Sequence, residues 1–231
     1  MIVSLTGIAV LVVAIVVSFM LFGADESTLP ADAAQMVTLA AAPTSTTAVT
    51  EAMQEHILSA DFAVGYTSVA QLKEAADVVV RGEVIAVSYL DFNTATQTKV
   101  TLKVDKCFKG GVAAGQEITI LEPGGITTAA NVVGDKFGAP TKEQVETKVK
   151  VLLEGAPLTQ VGEKCLYFLG KGEVAIVAGA YYIPMGAFQG RFTIGSGVAK
   201  RFVPADFGAK YTALPMDEAA IDDTVAKASA E

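Results

Sequence analysis

Asp77-Val78-Val79-Val80-Arg81-Gly82-Glu83-Val84-Ile85-Ala86-Val87 is a run rich in β-branched residues, and it marks where the chain changes to strand character. Asp91-Phe92-Asn93-Thr94-Ala95 follows with the residue types of a turn. Beyond it the pattern alternates. Val100, Leu102 and Val104 fall on one side and Lys99, Thr101, Lys103 and Asp105 on the other, the period of a strand with one wet face. Gly110-Gly111 and Gly115 bracket the next turn, before Glu117-Ile118-Thr119-Ile120-Leu121 and a stop at Pro123-Gly124-Gly125.

Residues 126–146 read as a long loop. For residues 148–153 two patterns compete: Val149, Val151 and Leu153 alternate as a strand, whereas Thr141 and Gln144 could cap a helix carrying Val145, Val149 and Leu152. The strand is preferred. Residues 165–169 and 173–178 read as a hairpin around Gly170-Lys171-Gly172, and residues 190–194 as one further strand. Upstream, residues 51–60 suggest a short helix. A better-marked helix begins at Ser68, which has capping-box spacing to Gln71 and places Val69, Leu72 and Ala76 on one face. After Pro215 a last short helix carries Ile221 and Val225 one turn apart.

Five or more short strands with Gly-rich turns predict a mainly β domain, a small barrel or sandwich, over residues 61–211. Residues 212–231 form an acidic tail. Residues 25–60 are rich in Ala, Thr, Ser and Pro and read as a stalk. Residues 1–24 contain no charged side chain. At about 1.5 Å per residue such a helix spans roughly 36 Å, enough for a hydrocarbon core of about 30 Å. Cutting after Ala24 would put Phe22 where signal cleavage wants a small residue, so an uncleaved single-pass anchor in the cell membrane is expected. The first basic residue of the chain is Lys73, so nothing basic holds the downstream side in the cytoplasm, and the C-terminal domain is expected to be extracytoplasmic.

The net charge of -8 is unevenly spread. Residues 1–76 hold 7 acidic and 1 basic side chains, residues 77–211 hold 13 and 15, and residues 212–231 hold 5 and 1. The β region is thus slightly basic and compatible with an anionic partner such as a cell-envelope polymer, or with a protein. Lys99, Lys103, Lys106 and Lys109 are the candidate binding surface; an ordinary solvated strand face carrying lysines is the plainer account of them. Cys107 and Cys165 are the only cysteines, and on the exported side they could form a disulfide or remain two buried thiols; spacing does not decide.

Catalytic motifs are missing from the sequence. His56 is the single histidine and lies outside the β region, and there is no His-Glu-x-x-His, Cys-x-x-Cys, Gly-x-Ser-x-Gly or Gly-Lys-Ser/Thr pattern. Asp91, Asn93 and Glu122 could be imagined around calcium, but turn chemistry accounts for Asp91 and Asn93. Paired carboxylates for hydrolysis leave no local signature. Trp is absent and Tyr and Phe are sparse, which disfavours stacking platforms for sugars or nucleic acid. No metal, cofactor or catalytic residue is assigned, and an enzyme is not expected.

Ala76-Asp77-Val78-Val79-Val80-Arg81-Gly82-Glu83-Val84, Thr101-Leu102-Lys103-Val104, Phe108-Lys109-Gly110, Glu117-Ile118-Thr119-Ile120 and Val161-Gly162-Glu163-Lys164-Cys165-Leu166-Tyr167-Phe168-Leu169 together resemble the netrin-like module of tissue inhibitors of metalloproteinases. They are also similar to exported bacterial proteins of the same strand order. The resemblance covers about residues 68–195 and implies a five-stranded OB-like Greek-key barrel with a short flanking helix. It does not carry the inhibitors' mechanism, because that uses an N-terminal Cys amine and no Cys precedes the first strand here. The expected function is a membrane-anchored binding domain without catalysis. A loop-acting protease inhibitor and a carboxylate-based hydrolase are the alternatives.

Overall fold

A computed structural model describes residues 53–93, 95–134, 138–204 and 213–228. The expected anchor over 1–24 and the stalk up to residue 52 lie outside the described residues. Among those described, no helix is long and apolar enough to cross a membrane. In chain order the elements are β1 Gln54–Leu58, α1 Val69–Ala75, β2 Val78–Phe92, β3 Ala95–Lys109, β4 Glu117–Pro123, β5 Gly125–Thr128, α2 Ala129–Val133, α3 Lys142–Glu146, β6 Lys148–Leu153, β7 Lys164–Lys171, β8 Tyr182–Pro184, β9 Arg191–Gly195, β10 Val198–Lys200, β11 Met216–Asp217 and α4 Ile221–Lys227. The chain is mainly β, as its sequence predicts.

The large sheet runs β11-β10-β9-β7-β2-β3-β4-β8, and β8 also pairs with β7. Five strands, β7-β2-β3-β4-β8, therefore return on themselves. Every pairing in that ring is antiparallel except β4 with β8, which meet in parallel at Ile120 and Tyr182. Inside the ring Val80, Val84, Val100, Leu102, Ile120 and Tyr167 form one core. Outside it, Val79, Leu166, Phe168 and Phe192 form a second core, roofed by Leu72 of α1 and by Ile221 and Val225 of α4. Because β2 and β7 are buried on both faces, Val78-Val79-Val80 and the residues 165–169 are continuous apolar runs rather than alternating ones. Register shifts in β2 against β3 coil this long hairpin around the inner core. Gly82 is required there, since a Cβ would stand 2.2 Å from the Lys103 carbonyl oxygen.

Several local expectations hold. Ser68 accepts from the Gln71 amide at the start of α1, although the Gln71 side chain turns one residue further back, to the Thr67 amide. Residues 148–153 are a strand, and the Thr141/Gln144 capping box is complete but belongs to the separate helix α3. The final helix buries Ile221 and Val225.

Three expectations are corrected. Residues 51–60 give no helix among their described part: β1 pairs in parallel with β6, in a small sheet ordered β1-β6-β5. Residues 126–146 are not one loop but include β5, α2 and α3. Residues 173–178 do not return as the second strand of a hairpin; that place is taken by β8. The chain is diverted at Gly172, whose amide bonds the Tyr181 carbonyl at 2.9 Å and whose missing Cβ makes room for the Tyr181 ring. Residues 173–180 are thereby looped out.

Candidate functional site

The strongest concentration of buried chemistry stands where β4, β7 and β9 meet the loop before β7. Glu122 on β4 is ion-paired with Arg191 at the start of β9, Nη1 to Oε2 2.9 Å, with both side chains 8% exposed. Tyr167 donates its hydroxyl to Glu122 Oε1 at 2.9 Å, and Thr159 donates to Oε2 at 2.6 Å. Arg191 also donates to the Thr159 hydroxyl and, at 2.5 Å, to the Pro157 carbonyl. The strands place these groups directly: Tyr167 and Arg191 are cross-strand partners in the β7–β9 ladder.

Burial is the largest single influence and works against the Arg191 charge, but Glu122 together with Tyr167, Cys165 and Glu163 outweighs it and holds the guanidinium above its ordinary value. Burial, reinforced by Glu122, raises the Tyr167 phenol well above its ordinary range. The Cys165 thiol is pushed up to about 12, first by burial, so it stays an unreactive thiol at neutral pH. A narrow cleft walled by Pro123, Leu153, Leu158 and Phe188 reaches Glu122 and Arg191 and has room for about one water molecule. Both Glu122 oxygens already accept hydrogen bonds, so this carboxylate is poorly disposed to act as a base.

Cys107 and Cys165 are both free thiols, so the possible disulfide is not formed. Cys107 lies opposite Val80 on one side of β2 and Cys165 opposite Gly82 on the other. Two strand spacings of about 4.8 Å each then separate them, beyond the roughly 7 Å that a disulfide can bridge between Cα atoms. Cys107 instead donates to the Lys109 carbonyl at 3.1 Å.

The four lysines share the outer face of β3 but not their partners. Lys103 stands across from Glu83 on β2 and Glu117 on β4, and Lys99 across from Ser88 and Leu121. A register shift past Asp105 re-aims the end of β3: Lys106 reaches Asp222 on α4 at 2.6 Å, and Lys109 caps α1 through the Lys73 and Glu74 carbonyls at 2.9 and 3.1 Å. Asp91 accepts from Thr96 and Thr127, both at 2.8 Å, and Asn93 occupies a left-handed turn position, so neither shares its partners with Glu122. Among the described residues no cluster of His, Cys, Asp and Glu is arranged to hold a metal. His56 lies on the exposed strand β1.

Asp222 joins α4 to the barrel by accepting from both Lys106 and Arg81, the latter at 2.9 Å. The Lys106 hydrogen bond first, and the Arg81 charge after it, hold this carboxyl below its ordinary value. A folded value below the unfolded one means that the stabilisation is complete above about pH 4 and is lost as pH falls through the lower, folded value. Amide exchange in α4, corrected for its intrinsic rate, should therefore speed up on acidification below about pH 4. Asp222→Asn should exchange faster already at neutral pH and lack the acid step. An α4 exchange rate in the wild type that ignores acid would remove Asp222 as the tie.

Sequence reading overlooked the polar cluster and the exposed strand β1. The first left a signal, a lone Arg heading the apolar Arg191-Phe192-Thr193-Ile194 and a lone Glu closing Ile118-Thr119-Ile120-Leu121-Glu122. No family model matches the chain, and no curated protein matches it.

Proposed function

We propose that this chain is a non-catalytic binding domain on an OB-type, netrin-like barrel, held at the extracytoplasmic face of the cell membrane by residues 1–24. The observation that carries the barrel reading is the pairing order β7-β2-β3-β4-β8, closed by a parallel β4–β8 contact. A five-stranded Greek-key barrel of this kind binds across the outer face of its second and third strands and the neighbouring loops. Here those strands are β3 and β4, whose outer face carries Lys99, Thr101 and Lys103 beside Thr119. A protein or an anionic envelope polymer suits that face. Binding rather than hydrolysis is further supported by Glu122, whose carboxylate is taken up by Arg191, Tyr167 and Thr159.

Lys106 serves the α4 tie, so the test uses the two outward lysines. Lys99→Glu with Lys103→Glu should weaken retention on purified envelope polymer, or recovery of a co-purifying partner, by about ten-fold. Unchanged retention would remove this face. Protease treatment of intact cells should digest the domain; survival in whole cells with loss in lysates would contradict the orientation.

A loop-acting inhibitor remains a second reading, favoured by the looped-out residues 173–180. Val174 is 57% exposed there, and its carbonyl accepts the Tyr181 hydroxyl at 2.5 Å. Inhibition of a protease panel by the full chain, lost in Val174→Asp, would select it.

A further inference from the structure

We propose that Asp222 is a built-in competitor for the lysine face of β3: its carboxylate occupies the Arg81–Lys106 end of that face, and a polymer carrying repeated carboxylates binds there by taking its place. The proposal rests on the binding reading above and adds to it the ligand chemistry and the contact that holds affinity down.

The outer face of the β2–β3 hairpin carries the lysines in a row. Lys109 stands across from Val79, Lys106 from Arg81, Lys103 from Glu83 and Lys99 from Ser88. Asp105 and Phe108 are the extra residues of β3, so Lys103, Lys106 and Lys109 take successive outward positions about 7 Å apart, with Lys99 about 13 Å beyond Lys103. Acids accompany the middle of the row: Glu83 and Glu117 flank Lys103, and Asp105 lies on the bulge that follows it. Cations are denser at the helix end. Arg81 joins Lys106 there, and Lys73 and Lys109 line a hollow of about 220 Å³ with Ala70, Glu74 and Ala228. Lys73 and Lys109 donate to backbone carbonyls of α4 and α1, which are neutral acceptors.

That end already holds a carboxylate. Arg81 Nη1 reaches Asp222 Oδ1 at 2.9 Å and Lys106 Nζ reaches Oδ2 at 2.6 Å, one cation to each oxygen, and among the described residues Asp222 is the only acid paired with either. The contact is open to an incoming group, since the Asp222 side chain is 41% exposed and that of Lys106 44%. Ion pairs this exposed contribute little, so one carboxylate exchanges for another at small cost. Exchange also leaves α4 in place. The helix is held by Ile221 and Val225, both fully buried, and by Lys73, which bonds the Ala226 and Ala228 carbonyls at 3.0 and 3.1 Å, so only the Asp222 side chain has to turn away. Its neighbour Asp223 takes no part, being paired with Lys227 at 3.1 Å along the helix.

The test measures binding of fluorescently labelled poly-glutamate to the full chain in detergent micelles over a range of salt. Asp222→Asn frees Arg81 and Lys106, so at about 50 mM salt it should bind about ten-fold more tightly than wild type, and the log–log slope of affinity against salt should steepen by about 1–2, roughly one for each cation released. Asp223→Asn changes the net charge equally without facing either cation, and should move affinity less than about two-fold. Adding Lys106→Gln to Asp222→Asn should cancel most of the gain, which a merely loosened α4 would not do. Equal affinity and slope in wild type and Asp222→Asn, an equal gain in Asp223→Asn, or a gain that survives Lys106→Gln would each overturn the proposal. A gain seen with polyphosphate and not with poly-glutamate would overturn the ligand class. Lys99→Glu with Lys103→Glu keeps the two readings apart: binding that it weakens but Asp222→Asn leaves unchanged would remove the competitor and keep the face, and the reverse pattern would remove the face and keep the competitor.

Discussion

Arg191→Met should lower the unfolding free energy by about 3–5 kcal/mol in chemical denaturation of the full chain. The size follows from what stays behind. Glu122 would remain buried, with hydroxyl donors from Tyr167 and Thr159 but no counter-charge, and the Pro157 carbonyl would lose its donor. Removing both charges, Arg191→Met with Glu122→Leu, should recover more than half of the loss, since neither charge is stranded. Full recovery is not expected, as the Tyr167 and Thr159 hydroxyls lose their acceptor, at about 1–3 kcal/mol for an unmet buried group. A loss below about 1 kcal/mol in the single variant would mean that water reaches the pair.

That cluster also marks a limit of what the sequence reveals. Alternation identified β3 because Val100, Leu102 and Val104 share one environment over a few residues, and the cap at Ser68 identified α1 for the same local reason. Glu122 and Arg191 are 69 residues apart, and no local pattern states that they meet. β1 was illegible for another reason: a strand exposed on both faces shows no buried period, so Gln54–Leu58 carried no hydrophobic alternation to read. Residues 173–178 show the opposite error. They have strand-like composition, but Gly172 diverts the chain and three residues of β8 take the pairing. Plain alternation would turn Lys106 inward; two extra residues in β3, Asp105 and Phe108, keep Lys106 and Lys109 on the outer face beside the helices, which composition cannot announce.

The two-core arrangement makes the outer core as consequential as the barrel interior, and Phe168 tests this. Phe168 is fully buried on the outer face of β7, in edge-to-face contact with Phe192 at 5.7 Å between ring centroids. It shares its cluster with Leu72 of α1, Met216 of β11 and Ile221 and Val225 of α4. Phe168→Ala should cost about 3–5 kcal/mol, the lost transfer energy plus the cavity left between elements that cannot all collapse onto it. For a domain of ordinary stability, about 5–15 kcal/mol, that is a large share of the total. The loss should also be distributed: α1 and α4 touch this core from one side only, so their amides should gain exchange earlier in denaturant than those of β2 and β3. Phe168→Leu retains most of the apolar volume and should cost clearly less. Equal exchange of α4 and β3 in Phe168→Ala would show that the outer core does not unfold separately from the barrel. In that case the Arg81–Asp222–Lys106 tie would have to be broken together with the barrel core.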